Sequence, residues 1–219
     1  MKKYHAVLCE CMLFDGINKE DLISMLACLG ARVEEYKQGE IIFSEGEAAR
    51  EIGIVLSGNA QIVRIDYFGN RSIVTNIGKA QLFGESFACA GVNTLPVDVI
   101  ATSDSVVMLI DANRIINTCN NTCEFHRQVI FNLLKVVATK NLVFHQKLEV
   151  TSKRSTREKL MTYLLMQAKN NNSNEFEIPF DRQELADYLE VERSGLSAEI
   201  GKLRKEGVLE CRKNRFVLL

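Results

Sequence analysis

Apolar residues between Ala31 and about Asp111 come in short, largely β-branched runs broken by glycines. The clearest are Ile41-Ile42-Phe43, Ile52-Gly53-Ile54-Val55-Leu56, Ala60-Gln61-Ile62-Val63-Arg64-Ile65, Ser72-Ile73-Val74-Thr75 and Val106-Val107-Met108-Leu109-Ile110, with Arg32-Val33-Glu34-Glu35-Tyr36 ahead of them. Turn residues punctuate them at Gln38-Gly39, Glu45-Gly46, Ser57-Gly58, Gly69-Asn70 and Gly78. Short strands separated by turns at roughly 8–12-residue spacing predict an all-β roll or barrel. Gln61, Arg64 and Asp66 interleave with Ile62-Val63 and Ile65, which predicts one wet face for that strand. Before the barrel, Leu22, Ile23, Met25, Leu26 and Leu29 predict a short helix packed onto it.

The period then changes. From Phe125 to about Val150 there is no glycine or proline, and Ile130, Leu133, Leu134, Val137, Asn141, Phe144 and Leu148 recur largely at helical spacing. This seam suits a parallel coiled-coil dimer, in which a single polar member such as Asn141 fixes register. The competing reading buries the same residues against the protein's own barrel.

The last forty residues predict two short amphipathic helices joined by a tight turn. Leu185 and Leu189 give the first an apolar stripe, and Ala186 permits close approach. Glu190-Val191-Glu192 connects them, and Leu196, Ile200 and Leu203 give the second a buried face. The opposite face carries Arg193, Ser194, Ser197, Ala198, Gly201, Lys202 and Lys205, small and basic enough to lie against phosphates and base edges. Gly207 stops the second helix, and Val208-Leu209 and Phe216-Val217-Leu218-Leu219 flank a basic turn, Arg212-Lys213-Asn214-Arg215. That reads as a β-hairpin wing with cations at its tip. The bland alternative is an ordinary helical hairpin with solvated charges.

Charge favours the DNA-reading alternative. From Arg193 to Arg215 seven Lys/Arg face Glu199, Glu206 and Glu210, a local net of +4, whereas the whole chain is net −1. Attraction to phosphate depends on such focusing. The stretch from Lys135 to Lys169 is basic too, with eight Lys/Arg against Glu149 and Glu158.

With 219 residues, 47% hydrophobic and 25% charged, the chain has material for one large or two modest cores. No apolar stretch approaches a membrane span, and the N-terminus is interrupted by Glu10 and Asp15 before a signal-length apolar run, so a cytoplasmic protein without membrane partners is expected. Seven cysteines, an odd number, do not frame a disulfide scaffold. Cys9-x-Cys11 and Cys119-x3-Cys123 are close pairs, with Cys28 and Cys89 alone, but repeated C-x2-C spacing is missing. Buried or unreactive thiols are the expectation, with no metal and no cofactor; a redox role stays open. A cupin-type barrel enzyme needs clustered histidines, and the chain has none between Ala31 and Asp111, which argues against an enzyme.

A β-roll, a long helix and a winged helix-turn-helix, in that order, resemble the cyclic AMP receptor protein / fumarate–nitrate reduction regulator (Crp/Fnr) family. The likeness rests on Lys37-Gln38-Gly39-Glu40-Ile41-Ile42-Phe43-Ser44-Glu45-Gly46, Gly53-Ile54-Val55-Leu56-Ser57-Gly58, Phe83-Gly84-Glu85 and Arg182-Gln183-Glu184-Leu185-Ala186. It implies an α+β chain with a cyclic-nucleotide-binding-like β-roll over 1–124, a dimerisation helix over 125–151 and a winged helix-turn-helix over 152–219. It also implies a homodimeric transcription regulator, an activator in many relatives, with a palindromic double-stranded operator and RNA polymerase as partners. The DNA contacts implied are Arg182, Gln183, Arg193, Ser194, Ser197, Ala198, Lys202, Lys205, Arg212, Lys213 and Arg215.

The effector pocket implied is Phe83, Gly84, Glu85, Ser86, Pro96 and Val97, with Phe144 and His145 from the long helix. In cyclic-nucleotide-binding members a glycine admits the phosphate, a glutamate holds the ribose and an Arg-Ser pair neutralises the phosphodiester. Gly84 and Glu85 match, but Pro96-Val97 stands near the Arg-Ser place. A buried phosphodiester there would lack charge compensation. The expectation is a small apolar or aromatic effector, or none; a vestigial barrel that only dimerises competes with it. The iron–sulfur branch uses other cysteine spacings, and His5, His126 and His145 do not cluster as haem ligands. Ser194 and Ala198 stand where relatives commonly have Glu and Arg, so the familiar half-sites do not carry over. A nucleotide-gated interaction module without DNA binding fits neither the missing Arg-Ser pair nor the winged C-terminus.

Overall fold

In a computed structural model, residues 2–116 and 124–219 are described. The chain divides into two compact units, Met1–Gly69 with Val74–Asn141, and Asn70–Ile73 with Leu142–Leu219. The first opens with α1 (His5–Glu10) and α2 (Lys19–Cys28), separated by a single 3-10 turn at Met12–Phe14. The one expected helix is therefore the second of two. Asn18 caps α2 by accepting from the Asp21 amide at 3.0 Å.

The strands are β1 (Arg32–Tyr36), β2 (Ile41–Phe43), β3 (Glu51–Ser57), β4 (Ala60–Ile65), β5 (Arg71–Ile77) and β6 (Leu82–Phe83). A short helix α3 (Glu85–Ala90) follows, then β7 (Asp98–Ala101), β8 (Ser105–Asp111) and α4 (Ala112–Ile116). They form two four-stranded sheets, β1-β8-β3-β6 and β2-β7-β4-β5, with antiparallel pairing. Between the sheets lie Val55, Phe83, Val107 and Leu109 from one and Ile42, Phe43, Ile62, Val99 and Ala101 from the other. Ile52, Ile54, Leu56, Met108 and Ile110 point the opposite way and pack with Leu8, Leu13, Leu22 and Leu26 of the N-terminal segment. A sheet covered on both faces explains why Ile52–Leu56 does not alternate.

Gly53 faces Phe83 across the β3–β6 pair, and a Cβ there would lie 2.0 Å from the ring. Phe83 is wholly buried and edge-on to Phe43, with ring centroids 5.1 Å apart, so it has nowhere to swing. Gly53→Ala is expected to destabilise the barrel by about 1–3 kcal/mol through overpacking. Chemical denaturation checks this; an unchanged midpoint would show that the ring can move.

The long helix α5 runs over Glu124–Thr151. Its residues Val129, Leu133 and Val136 join the core formed with the N-terminal helices and the outer face of β3 and β8, and Val137 packs at the edge. Leu133 therefore leaves the expected dimer seam: it belongs to a second apolar stripe that faces the barrel. Asn132, fully buried on that stripe, donates to the Leu13 carbonyl at 3.0 Å and the Asp15 carbonyl at 2.8 Å, tying the N-terminal segment to α5. Ile130, Leu134, Asn141, Phe144 and Leu148 are exposed in the chain, with Phe131 and Leu142 beside them. The two readings of the helix are thus divided between two faces, and leucines adjacent in sequence go to different ones.

The second unit contains α6 (Thr156–Asn171), β9 (Glu175–Glu177), α7 (Arg182–Leu189), α8 (Arg193–Lys205), β10 (Leu209–Arg212) and β11 (Arg215–Leu218). Ser155 and Glu158 make a reciprocal capping box at the start of α6, a helix within the basic stretch that carried no helix expectation. The wing is a three-stranded sheet, β10-β11-β9, not a bare hairpin. Phe176 of β9 pairs with Phe216 of β11, and the rings stack with centroids 6.5 Å apart.

Candidate nucleic-acid interface and effector site

Asp181 starts α7 with a second capping box: its carboxylate accepts from the Glu184 amide at 2.8 Å, and the Glu184 carboxylate accepts from the Asp181 amide at 2.9 Å. The helix ends at Glu190, which takes the left-handed backbone conformation at φ 55° that turns the chain into α8. Leu185, Ala186, Leu189, Leu196, Ile200 and Leu203 are all buried, so the two helices meet along the stripe read from their spacing. Arg157 of α6 pins α8 from behind, reaching Glu206 at 2.5 Å and Glu199 at 3.5 Å.

This packing leaves Arg193, Ser194, Ser197, Ala198, Lys202 and Lys205 exposed together on α8. A Cβ on Gly201 would meet nothing within 4 Å, and one on Gly195 only the Glu192 Cβ at 4.0 Å. Neither glycine is required by packing inside the protein, although each weakens the helix by about 1 kcal/mol relative to alanine.

The cations expected on DNA are not equivalent. Arg215 is paired with Glu175 on β9 across the wing, an exposed ion pair of small energetic weight. Lys202, itself exposed, lies 3.3 Å from the largely buried Glu199. Arg182 turns toward the wing, donating to Cys211 Sγ at 3.3 Å and lying over the Phe216 ring, while Gln183 donates to Asp187 at 2.8 Å. Arg212 and Lys213 are exposed at the wing turn and make no ion pair among the described residues, which leaves them available tip charges. A concavity of about 310 Å³ lies where α8 meets the wing, lined by Arg182, Ser197, Gly201, Arg204, Cys211 and Lys213. Arg204 lies seven residues after Ser197, on the same edge of the helix, and joins it in this lining.

In the barrel, Gly84 takes φ 80°, and a Cβ on it would lie 2.8 Å from the Glu51 carbonyl and 2.9 Å from Phe43. Only glycine fits this corner between β6 and α3. Glu85, the next residue, is 2% exposed, yet it does not face an open pocket. Lys140 of α5 contacts its two carboxylate oxygens at 2.9 and 3.0 Å and donates to the Leu82 carbonyl at 2.6 Å. Ser86 donates to the same carboxylate at 3.1 Å. Pro96 is exposed and Val97 is packed between the two sheets. Phe144 and His145 are both exposed on α5.

The cysteines are dispersed. Cys11 is buried, and burial pushes its thiol up to about 11, while Cys9, Cys28 and Cys89 are exposed. Cys119 and Cys123 lie outside the described residues. No helix among the described residues is long and apolar enough to cross a membrane.

Comparison with known proteins falls on the same two parts. A model of the cyclic nucleotide-binding domain matches residues 33–122, and one of the Crp-like helix-turn-helix domain matches residues 158–219. Transcriptional activator protein FnrL of Cereibacter sphaeroides is 21% identical over 193 residues, 84% of this chain and 75% of that protein. The structure of FixK2 from Bradyrhizobium japonicum superposes with a TM-score of 0.65 at 19% identity, covering 86% of this chain and 92% of that one. The c-di-GMP responsive global regulator CLP of Xanthomonas campestris gives a TM-score of 0.71 at 18% identity, over 90% and 97% of the two chains. At these identities the superpositions speak for the fold. With a β-roll and a winged helix-turn-helix each matched in its place, the chain belongs to the Crp/Fnr family of DNA-binding transcription regulators.

Proposed function

We propose that this protein acts as a homodimer on a palindromic operator and does so without a cyclic nucleotide. The observation that carries the second half is the Glu85–Lys140 pair. The carboxylate that would hold a ribose is already satisfied by an internal ammonium and by Ser86. Displacing that ammonium would leave a buried charge without its partner. The place of the phosphate-neutralising pair offers only Pro96 and Val97, which carry no cation. The barrel interior is apolar, so an effector, where one acts, is small and apolar or aromatic.

Dimerisation through the exposed stripe of α5 would put two α8 helices on successive major-groove faces. Arg193, Ser194, Ser197 and Ala198 are the base-reading positions, and Lys202, Lys205, Arg212 and Lys213 hold phosphates, with Arg182 and Gln183 at the groove edge. Gly195 and Gly201 let the backbone of α8 approach the duplex, since nothing inside the protein occupies the space a side chain would take. RNA polymerase is the partner at the promoter, in keeping with the activator name carried by FnrL. A thermal-shift titration tests the claim about ligand: cyclic AMP and cyclic GMP are expected to leave the melting temperature unchanged up to millimolar concentration. A clear rise at micromolar nucleotide would overturn it.

A further inference from the structure

The Glu85–Lys140 pair does more than fill a site. Lys140 bridges both sides of the Gly84 corner, holding the Leu82 carbonyl at the start of β6 and the Glu85 carboxylate at the start of α3. Its own helix, α5, continues to Thr151, beyond the boundary of the barrel unit at Asn141. Glu85 is almost fully buried, whereas the Lys140 side chain is one quarter exposed. A buried pair of this kind adds little net stability over apolar residues of the same volume, whereas removing one partner leaves the other charge uncompensated. The geometry here is specific: one ammonium fastens the strand, the corner and the short helix to the long helix. Its charge also compensates the one buried carboxylate of α3.

We infer that Lys140 is a built-in ligand of the β-roll, a latch that holds α3 against α5 in the DNA-binding arrangement and so replaces the effector a liganded barrel would need. This rests on the reading of the barrel as the controlling part of a DNA-binding dimer. Removing either half of the latch frees α3 and the Gly84 corner from α5, and the DNA-competent state loses population.

The test compares wild-type protein with Glu85→Gln, Lys140→Gln and the double variant. Operator affinity is measured by fluorescence anisotropy below each melting temperature, with oligomeric state checked by sedimentation. Each single variant is expected to lose at least tenfold in operator affinity while remaining dimeric. The double variant is expected to lose no more than the worse single one, because the same contact is removed. Single variants within twofold of wild type would overturn the latch. If a single variant fails to fold because it buries a lone charge, the double variant decides: it buries none, and wild-type affinity in it would overturn the latch. Failure of the underlying reading looks different, since wild-type protein would then bind no operator at all.

Discussion

Leu134→Glu is expected to give a folded chain that sediments as a monomer. Leu134 is 64% exposed in the chain, so the barrel core does not depend on it, and Leu148, two heptads further along α5, is 63% exposed. About four turns of exposed apolar side chains on a helix whose other face is already packed need a partner, and a second copy of the same stripe supplies one. A carboxylate on each helix at Leu134 would put two like charges into that seam. Loss of the dimer removes the second half-site, and with it an effective-concentration gain of about 100-fold or more in operator affinity. Circular dichroism should show unchanged helix content. A Leu134→Glu protein that still sediments as a dimer would remove α5 from the interface.

Arg193→Ala and Lys213→Ala are expected to fail in different ways. Arg193 is exposed in the first turn of α8, where a guanidinium can take guanine O6 and N7 together. Its loss should cost about 1–3 kcal/mol on the operator, or 5- to 150-fold, and little on random DNA. Lys213 sits exposed at the wing turn, in the left-handed conformation at φ 55°. Its loss should weaken operator and random DNA alike and flatten the slope of log affinity against log salt by about 0.9. Titrations on both DNAs at several salt concentrations separate the two. Equal losses on operator and random DNA for both variants would refute the division of roles.

Much of this was legible in the residues because local rules decided it. Glycines at turns and β-branched runs located β1 to β5 and β8, and the Leu185–Leu203 stripe with its Glu190–Glu192 connector located both reading helices. Elements with weaker local signals were missed. β9 is three residues of which only Phe176 is apolar, and α6 has a polar, basic surface that hides its buried Leu160, Tyr163 and Leu164. What sequence could not show was which side chains meet from afar. Glu85 and Lys140 are 55 positions apart, Glu175 and Arg215 are 40, and each pairing changes a role that either residue would have alone. Leu133 and Leu134 make the same point at short range: both are leucines on one helix, and only the barrel behind α5 assigns one inward and the other outward.

The central claim is a dimer that reads a palindrome without cyclic nucleotide. Sequencing genomic DNA captured by the wild-type protein, with no ligand added, tests it most directly. The expected result is an enriched palindrome whose half-site centres lie about 10–10.5 base pairs, one helical turn, apart. Captured fragments with no shared motif, or a motif that emerges only when cyclic AMP or cyclic GMP is added, would contradict it.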